Sequence, residues 1–218
     1  MRFFLGWNGE YNPLSAFFPP LRFPPMNTPP QRQSNSPNIF WGEMSPCEHL
    51  VQIYDEETVM LDSLEGFVGG GIESGEAVIV IASELHLASL DERLRRRGLD
   101  VAKARTSDQY IPLGAEETLA RFMVDGWPDD ERFREVISDV LMRAQAGGRK
   151  VRAFGEMVAF LWAQGHAGAT VRLEHMWHKL CHEHGFSLFC AYPKIGFTQN
   201  AEASLKEICA AHSRVIAG

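Results

Sequence analysis

The sequence has no basic excess: 21 Lys and Arg stand against 28 Asp and Glu, for a formal charge of −7. A nucleic-acid surface needs the opposite balance, so nucleic acid is not expected as a partner. No apolar stretch is long enough to span a bilayer, so no membrane partner is expected either. The four cysteines, Cys47, Cys181, Cys190 and Cys209, form no CxxC pair and no dense spacing. That pattern argues against a disulfide framework and suits reduced thiols in a cytoplasmic protein. Signatures of catalysis are missing too. There is no GxSxG elbow, no GxGxxG following a strand and no cysteine with a sequence-level case for activation, so the chain reads as a non-enzyme without a cofactor.

Proline is scarce over most of the chain, because nine of the twelve prolines fall within residues 1–46. Successive prolines block helices and sheet ladders, so this segment is expected to be an extended, disordered tail. It does not read as a signal peptide. Arg2 precedes only a short apolar run that Trp7, Asn8 and Gly9 interrupt. Its aromatic residues, Phe3, Phe4, Trp7, Phe17, Phe18, Phe23, Phe40 and Trp41, would also allow a docking role. Residues 47–218 are then the folded domain.

With 45% hydrophobic and 22% charged residues, the chain has ample material for one real core. The organising stretch is His49–Ser83, a βαβ unit: a strand over His49–Tyr54, an acidic turn (Asp55, Glu56, Glu57), a helix, and a strand over Ala77–Ala82. The run Val78, Ile79, Val80, Ile81 suits a strand covered on both faces, as in a parallel sheet. A helix over Glu84–Gly98 would turn Leu85, Leu87, Leu90 and Leu94 inward, with Arg93, Arg95, Arg96 and Arg97 on its solvated end. Further on, the pattern predicts a helix over Pro128–Gly147, a strand over Lys150–Phe154, and a helix from Thr170 toward His184. A strand over Phe186–Tyr192 and a closing helix over Ala201–His212 complete the chain. Strands alternating with helices in this order indicate an α/β fold, a three-layer sandwich with a mainly parallel sheet.

Ligands of such sheets sit outside the carboxyl ends of the strands. The first such loop is acidic, where a phosphate-binding loop needs glycines, a lysine and a Ser/Thr. The nearest glycine spacing, Gly70 to Gly75, is followed by Glu76 and Ala77 instead of Lys and Ser/Thr. The blocks HLVQIYDEE, GEAVIVIAS, AFGEMVAFLW, FSLFCAYP and ICAAHSRVI together resemble the MEDS domain (methanogen/methylotroph, DcmR sensory) over roughly residues 47–216. This family is a non-catalytic relative of the RecA/KaiC-like P-loop ATPase fold without a functional Walker A. The resemblance implies a cytoplasmic small-molecule sensory domain used in signalling and transcription regulation, with a hydrocarbon derivative as ligand. A histidine kinase, response regulator or transcription factor is the implied recipient of the signal, and self-association is compatible with the sequence.

Strand ends nominate Tyr54, Glu57, Glu156 and Tyr192 as ligand-binding residues, with Phe154 and Trp162 as apolar walls. For Glu156, capping of the next helix is the competing role. His49 and His212 join the candidates because they fall in the blocks that carry the resemblance. Cys190, in an apolar strand, reads as an inert core thiol. The segment EHMWHKLCHEH packs His175, His178, Cys181, His182 and His184 together, but lacks the HExxH order. It reads as a partly exposed amphipathic helix, and no metal site is assigned. Two other function classes remain open. One is a protein-interaction module whose nucleotide site has collapsed. The other is a nucleotide or metal binder of non-standard type, which would need a metal to offset Asp55, Glu56 and Glu57.

Overall fold

The computed structural model describes Trp41, residues 44–196, Lys206, residues 208–210 and residues 212–217. These belong to one compact unit, Ser34–Gly218. Six strands form a parallel sheet: β1 (His49–Tyr54), β2 (Ala77–Ala82), β3 (Tyr110–Gly114), β6 (Val151–Gly155), β7 (Ser187–Pro193) and β8 (Arg214–Ala217). Their order is β3-β2-β6-β7-β1-β8. A separate two-residue hairpin pairs β4 (Met123–Val124) with β5 (Trp127–Pro128). The helices are α1 (Glu57–Glu73), α2 (Glu84–Arg96), α3 (Val101–Thr106), α4 (Ala115–Ala120), α5 (Asp130–Ala144), α6 (Met157–Ala163) and α7 (Ala167–His184). No helix among the described residues is long and apolar enough to cross a membrane.

The two-residue period of a strand explains the two cores. In β2, Val78, Val80 and Ala82 pack with α1, α2 and α3, whereas Ala77, Ile79 and Ile81 pack with α4, α5, α6 and α7. All six β2 residues are buried, as the unbroken β-branched run requires. The fold is therefore an α/β three-layer sandwich around a six-stranded parallel sheet. The amphipathic pattern of α5 places Phe133, Val136, Ile137, Val140 and Leu141 inward, as the sequence predicts.

Several expectations need adjustment. Leu85 is 64% exposed, because it occupies the first turn of α2, whose inward face starts at Leu87. Arg95 and Arg96 lie on a solvated helix end as expected, whereas Arg93 and Arg97 pair with acids of α1. Arg93 reaches Asp62 and Glu65 on α1, and Arg97 holds Glu73 through two nitrogens at 2.8 and 2.7 Å. The α7 helix begins at Ala167, ahead of Thr170. The strand β8 was not predicted. The predicted closing helix lies mostly outside the described residues, with Lys206 and Ile208–Ala210 helical. Of the expected tail, residues 1–40 lie outside the described residues.

Trp41 is part of the folded core. Its ring packs edge-on against Phe67 at 5.6 Å, and its carbonyl accepts a hydrogen bond from Arg152 at 2.6 Å. The glycines of α1 make room for this. A Cβ at Gly70 would come within 2.7 Å of the Trp41 carbonyl oxygen, and one at Gly71 within 2.7 Å of Val78. Gly70, the first glycine of the spacing nearest to a phosphate-loop pattern, thus lies inside a helix, where it permits close packing, while Gly75 lies in the turn after it at φ +76°. Gly70→Ala should displace the Trp41 segment and cost about 1–3 kcal/mol. A lower urea midpoint together with new protease cleavage near Met44 is the expected result; an unchanged midpoint would show that the close approach is not needed.

Candidate functional site

Adjacent strands β2 and β6 send their chains to opposite faces. The helix that follows β2, α2, packs in one core, and the helix that follows β6, α6, packs in the other. The carboxyl ends of these two strands therefore flank a crevice of the kind in which open α/β sheets bind ligands. Ser83 and His86 stand at one side of it and Glu156 at the other. The sheet pairs Ile81 with Gly155, and the Glu156 N–H donates to the Ile81 carbonyl at 2.9 Å. Glu156 is thereby fixed opposite the start of α2.

The Glu156 carboxylate does not cap α6. One oxygen accepts from the Ser83 N–H at 2.8 Å, and the other lies 2.7 Å from His86 Nδ1. The far side of the same imidazole, Nε2, is 3.0 Å from Glu57 Oε1, on the first turn of α1. Ser83 is the N-cap of α2, and its hydroxyl accepts from the His86 N–H at 3.3 Å. One imidazole thus bridges two carboxylates carried by different elements. Burial alone would lower the His86 pKa, but the hydrogen bonds and charges of Glu156 and Glu57 outweigh it and raise the value. Tyr54, buried at the end of β1, has its hydroxyl pKa raised by burial first and by the Glu156 and Glu57 charges second. The nearby Asp55 is paired with Lys194 at 2.8 Å, which ties the loops after β1 and β7 together.

Of the residues nominated from sequence, Tyr54, Glu57 and Glu156 share this crevice. Tyr192 does not. Like Cys190 two residues before it, it points to the opposite face, where its ring packs near Trp162 at 6.3 Å. Phe154 lies in the other core, so Phe154 and Trp162 cannot form one wall: the sheet separates them.

His49 and His212 meet in a second constellation, buried under α7. Their rings are 3.9 Å apart. Around them stand Glu174 from the middle of α7 and Cys190 from β7, all four at 9% exposure or less. Tyr192 donates its hydroxyl hydrogen to Glu174 Oε1. Burial raises the Glu174 pKa above the usual carboxylate range, outweighing the opposing influence of His212 and of the bonds from Tyr192 and Cys190. Burial, with the Glu174 charge adding to it, also holds the Cys190 thiol and the Tyr192 hydroxyl well above their ordinary values. That state fits an unreactive thiol, but the surroundings of Cys190 are polar and not the apolar strand its neighbours Phe189 and Ala191 suggest.

The histidine-rich stretch of α7 divides by exposure. His175, His182 and His184 are exposed, and His178 is half-buried with its ring 4.5 Å from His182. Cys181 is buried, donates to the Phe186 carbonyl at 2.9 Å and has its thiol pushed up to about 12 by burial. Sequence inspection missed His86 and Glu174 as site residues. His86 had one available signal, the Ser-x-x-His spacing right after a strand end. Glu174 had one too, as the lone acid among the inward positions of α7.

His86 gives a pH-dependent prediction. Its folded pKa is raised, so its contribution to stability is complete below the unfolded value near ~6.5 and is lost as pH rises through the folded value. Urea midpoints should fall across that window in the native chain and lose that component in His86→Gln. In Glu156→Gln, histidine NMR should find the His86 pKa moved down. An unshifted His86 titration would refute the bridge.

No curated protein matches the chain in sequence. A family model does match, over residues 48–213, which takes in both constellations and five of the six sheet strands. The chain therefore belongs to the MEDS family, described as the MEthanogen/methylotroph, DcmR Sensory domain.

Proposed function

We propose that the chain is a non-catalytic small-molecule sensor whose ligand sits in the crevice between the carboxyl ends of β2 and β6. The observation that carries this is the Glu156–His86–Glu57 bridge at that crevice, with the Ser83 N–H on the second Glu156 oxygen. Two carboxylates around one imidazole leave the group net negative whichever state the imidazole takes, which favours a ligand with a neutral or cationic hydrogen-bonding head and disfavours phosphate. Tyr54, close enough for the Glu156 and Glu57 charges to act on its hydroxyl, supplies an aromatic ring beside it. A small hydrocarbon derivative bearing a hydroxyl or amine fits that chemistry.

In this account the domain descends from a RecA/KaiC-like nucleotide-binding ancestor and has lost the phosphate loop. Two residues, Asp55 and Glu56, separate β1 from α1, and both are acidic. The ligand would act by altering the His86 bridge, which joins α1, α2 and the end of β6. A cytoplasmic histidine kinase, response regulator or transcription factor would receive the signal.

A thermal-shift panel on the full chain tests the proposal, using short alcohols, amines, halogenated hydrocarbons, quinones, and nucleotides with magnesium. An organic compound should raise the melting temperature in a concentration-dependent manner, by about 2.7 kcal/mol of stabilisation at a hundredfold excess over Kd. Glu156→Gln and His86→Gln should abolish the shift. A response to nucleotide with magnesium alone would overturn the proposal in favour of a nucleotide binder. Silence across the panel would favour a protein-interaction module.

A further inference from the structure

The buried constellation has the composition of a metal site. Two imidazoles, one thiol and one carboxylate, from four different parts of the chain, present one ligand atom each within 4.8 Å of one another. The individual distances are informative. Glu174 Oε2 is 3.5 Å from His49 Nε2, 3.5 Å from His212 Nε2 and 3.7 Å from Cys190 Sγ, and Cys190 Sγ is 3.5 Å from His49 Nε2. A tetrahedron built from Zn–N and Zn–O bonds of roughly 2.0–2.2 Å and a Zn–S bond of roughly 2.3 Å has edges of roughly 3.3–3.6 Å. The edges from Glu174 to both imidazoles and from Cys190 to His49 fall in that range, and the Glu174–Cys190 edge lies just beyond it.

Its outer contacts orient the ligands. His212 Nδ1 lies 2.5 Å from the Ile208 carbonyl, which can only accept, so the ring carries its hydrogen on Nδ1 and turns the Nε2 lone pair inward. That Nε2 is buried and makes no hydrogen bond among the described residues, although the Glu174 carboxyl group is beside it. Tyr192 binds the other Glu174 oxygen and leaves Oε2 facing the centre. A carboxylate held by a hydroxyl and an imidazole held by a carbonyl are the supports that metal ligands ordinarily have.

We propose that His49, Glu174, Cys190 and His212 form a closed, four-coordinate site for a divalent zinc-type cation. Thiolate, imidazole and carboxylate together select zinc or cobalt over magnesium or calcium, which prefer all-oxygen shells. One thiolate and one carboxylate neutralise the cation, so the filled site is uncharged inside the core. The protons displaced from the ligands pass to solvent. With no open coordination position the metal is structural: it fastens the segment before β8 to β1, β7 and α7. It is independent of the strand-end crevice, where Glu156 and His86 lie.

The test uses the full chain without an affinity tag, stripped with chelator and titrated with Co2+ and then Zn2+. One equivalent of Co2+ should give the intense visible bands of tetrahedral coordination and a near-ultraviolet thiolate-to-cobalt band, and Zn2+ should displace both. Cys190→Ser should remove the thiolate band, and His212→Gln should weaken binding. Tyr192→Phe keeps all four ligands and should weaken binding roughly 10- to 100-fold, which serves as the test should a ligand variant fail to fold. His175→Ala and His182→Ala, on the exposed face of α7, should leave binding intact. The proposal is overturned by octahedral cobalt spectra, by a thiolate band that survives Cys190→Ser, by binding that depends on the exposed histidines, or by no binding at one equivalent.

Discussion

A carboxyl group with 1% exposure is the constraint on which one half of this molecule turns. Glu174 sits in the apolar face of α7, and an ion there is tolerated only if it is neutralised or closely paired. Four polar side chains on that side of the sheet converge on it: Tyr192 and Cys190 from β7, His49 from β1, and His212 from the residue pair leading into β8. These residues have no other strong reason to occupy a core of Leu, Phe and Trp. The parallel register that sets His49 beside Leu188 and Val51 beside Cys190 brings them to one height in the sheet. The last strand is thereby tied to the first through side chains as well as through the ladder.

On the other side of the same sheet the polar groups are few but differently arranged. Arg152 is buried and satisfied by Glu76 and by the Trp41 and Phe67 carbonyls. That arrangement anchors the chain ahead of β1 to the glycine-lined face of α1. The strand-end crevice is a third environment, in which His86 and Glu156 are buried, Glu57 is half exposed, and the two acids raise the His86 pKa. Sidedness follows from the strand period alone. Residues two apart on β7 share the Glu174 face, and no ligand in the crevice can reach Tyr192 without crossing the sheet.

Much of the scaffold was legible in the sequence because it rests on short-range patterns. The β2 run and the periodicity of α5 each name their element directly. The site was legible in part. Tyr54, Glu57 and Glu156 could be found because strand ends are predictable, whereas the facing direction of Tyr192 depends on register. His49 and His212 were nominated together because both fall in the blocks that carry the resemblance, with no sign in the sequence that they touch. Their contact is set by the β1–β8 pairing, and β8 has too short an apolar pattern to be read beforehand. Glu174 and Cys190 looked like a helix acid and a core thiol, since nothing local tells a strand or helix which side chain it will meet across a sheet.

The account separates two constellations: the Glu57–His86–Glu156 bridge at the strand ends, proposed to serve a ligand, and the enclosed cluster around Glu174, proposed to hold structure. Anomalous diffraction at the zinc edge, on crystals of the full chain grown with one equivalent of zinc, tests that separation most directly. The account predicts a single peak enclosed by His49, Glu174, Cys190 and His212, and none between Glu57, His86 and Glu156. A peak in the crevice with an empty core cluster would contradict it.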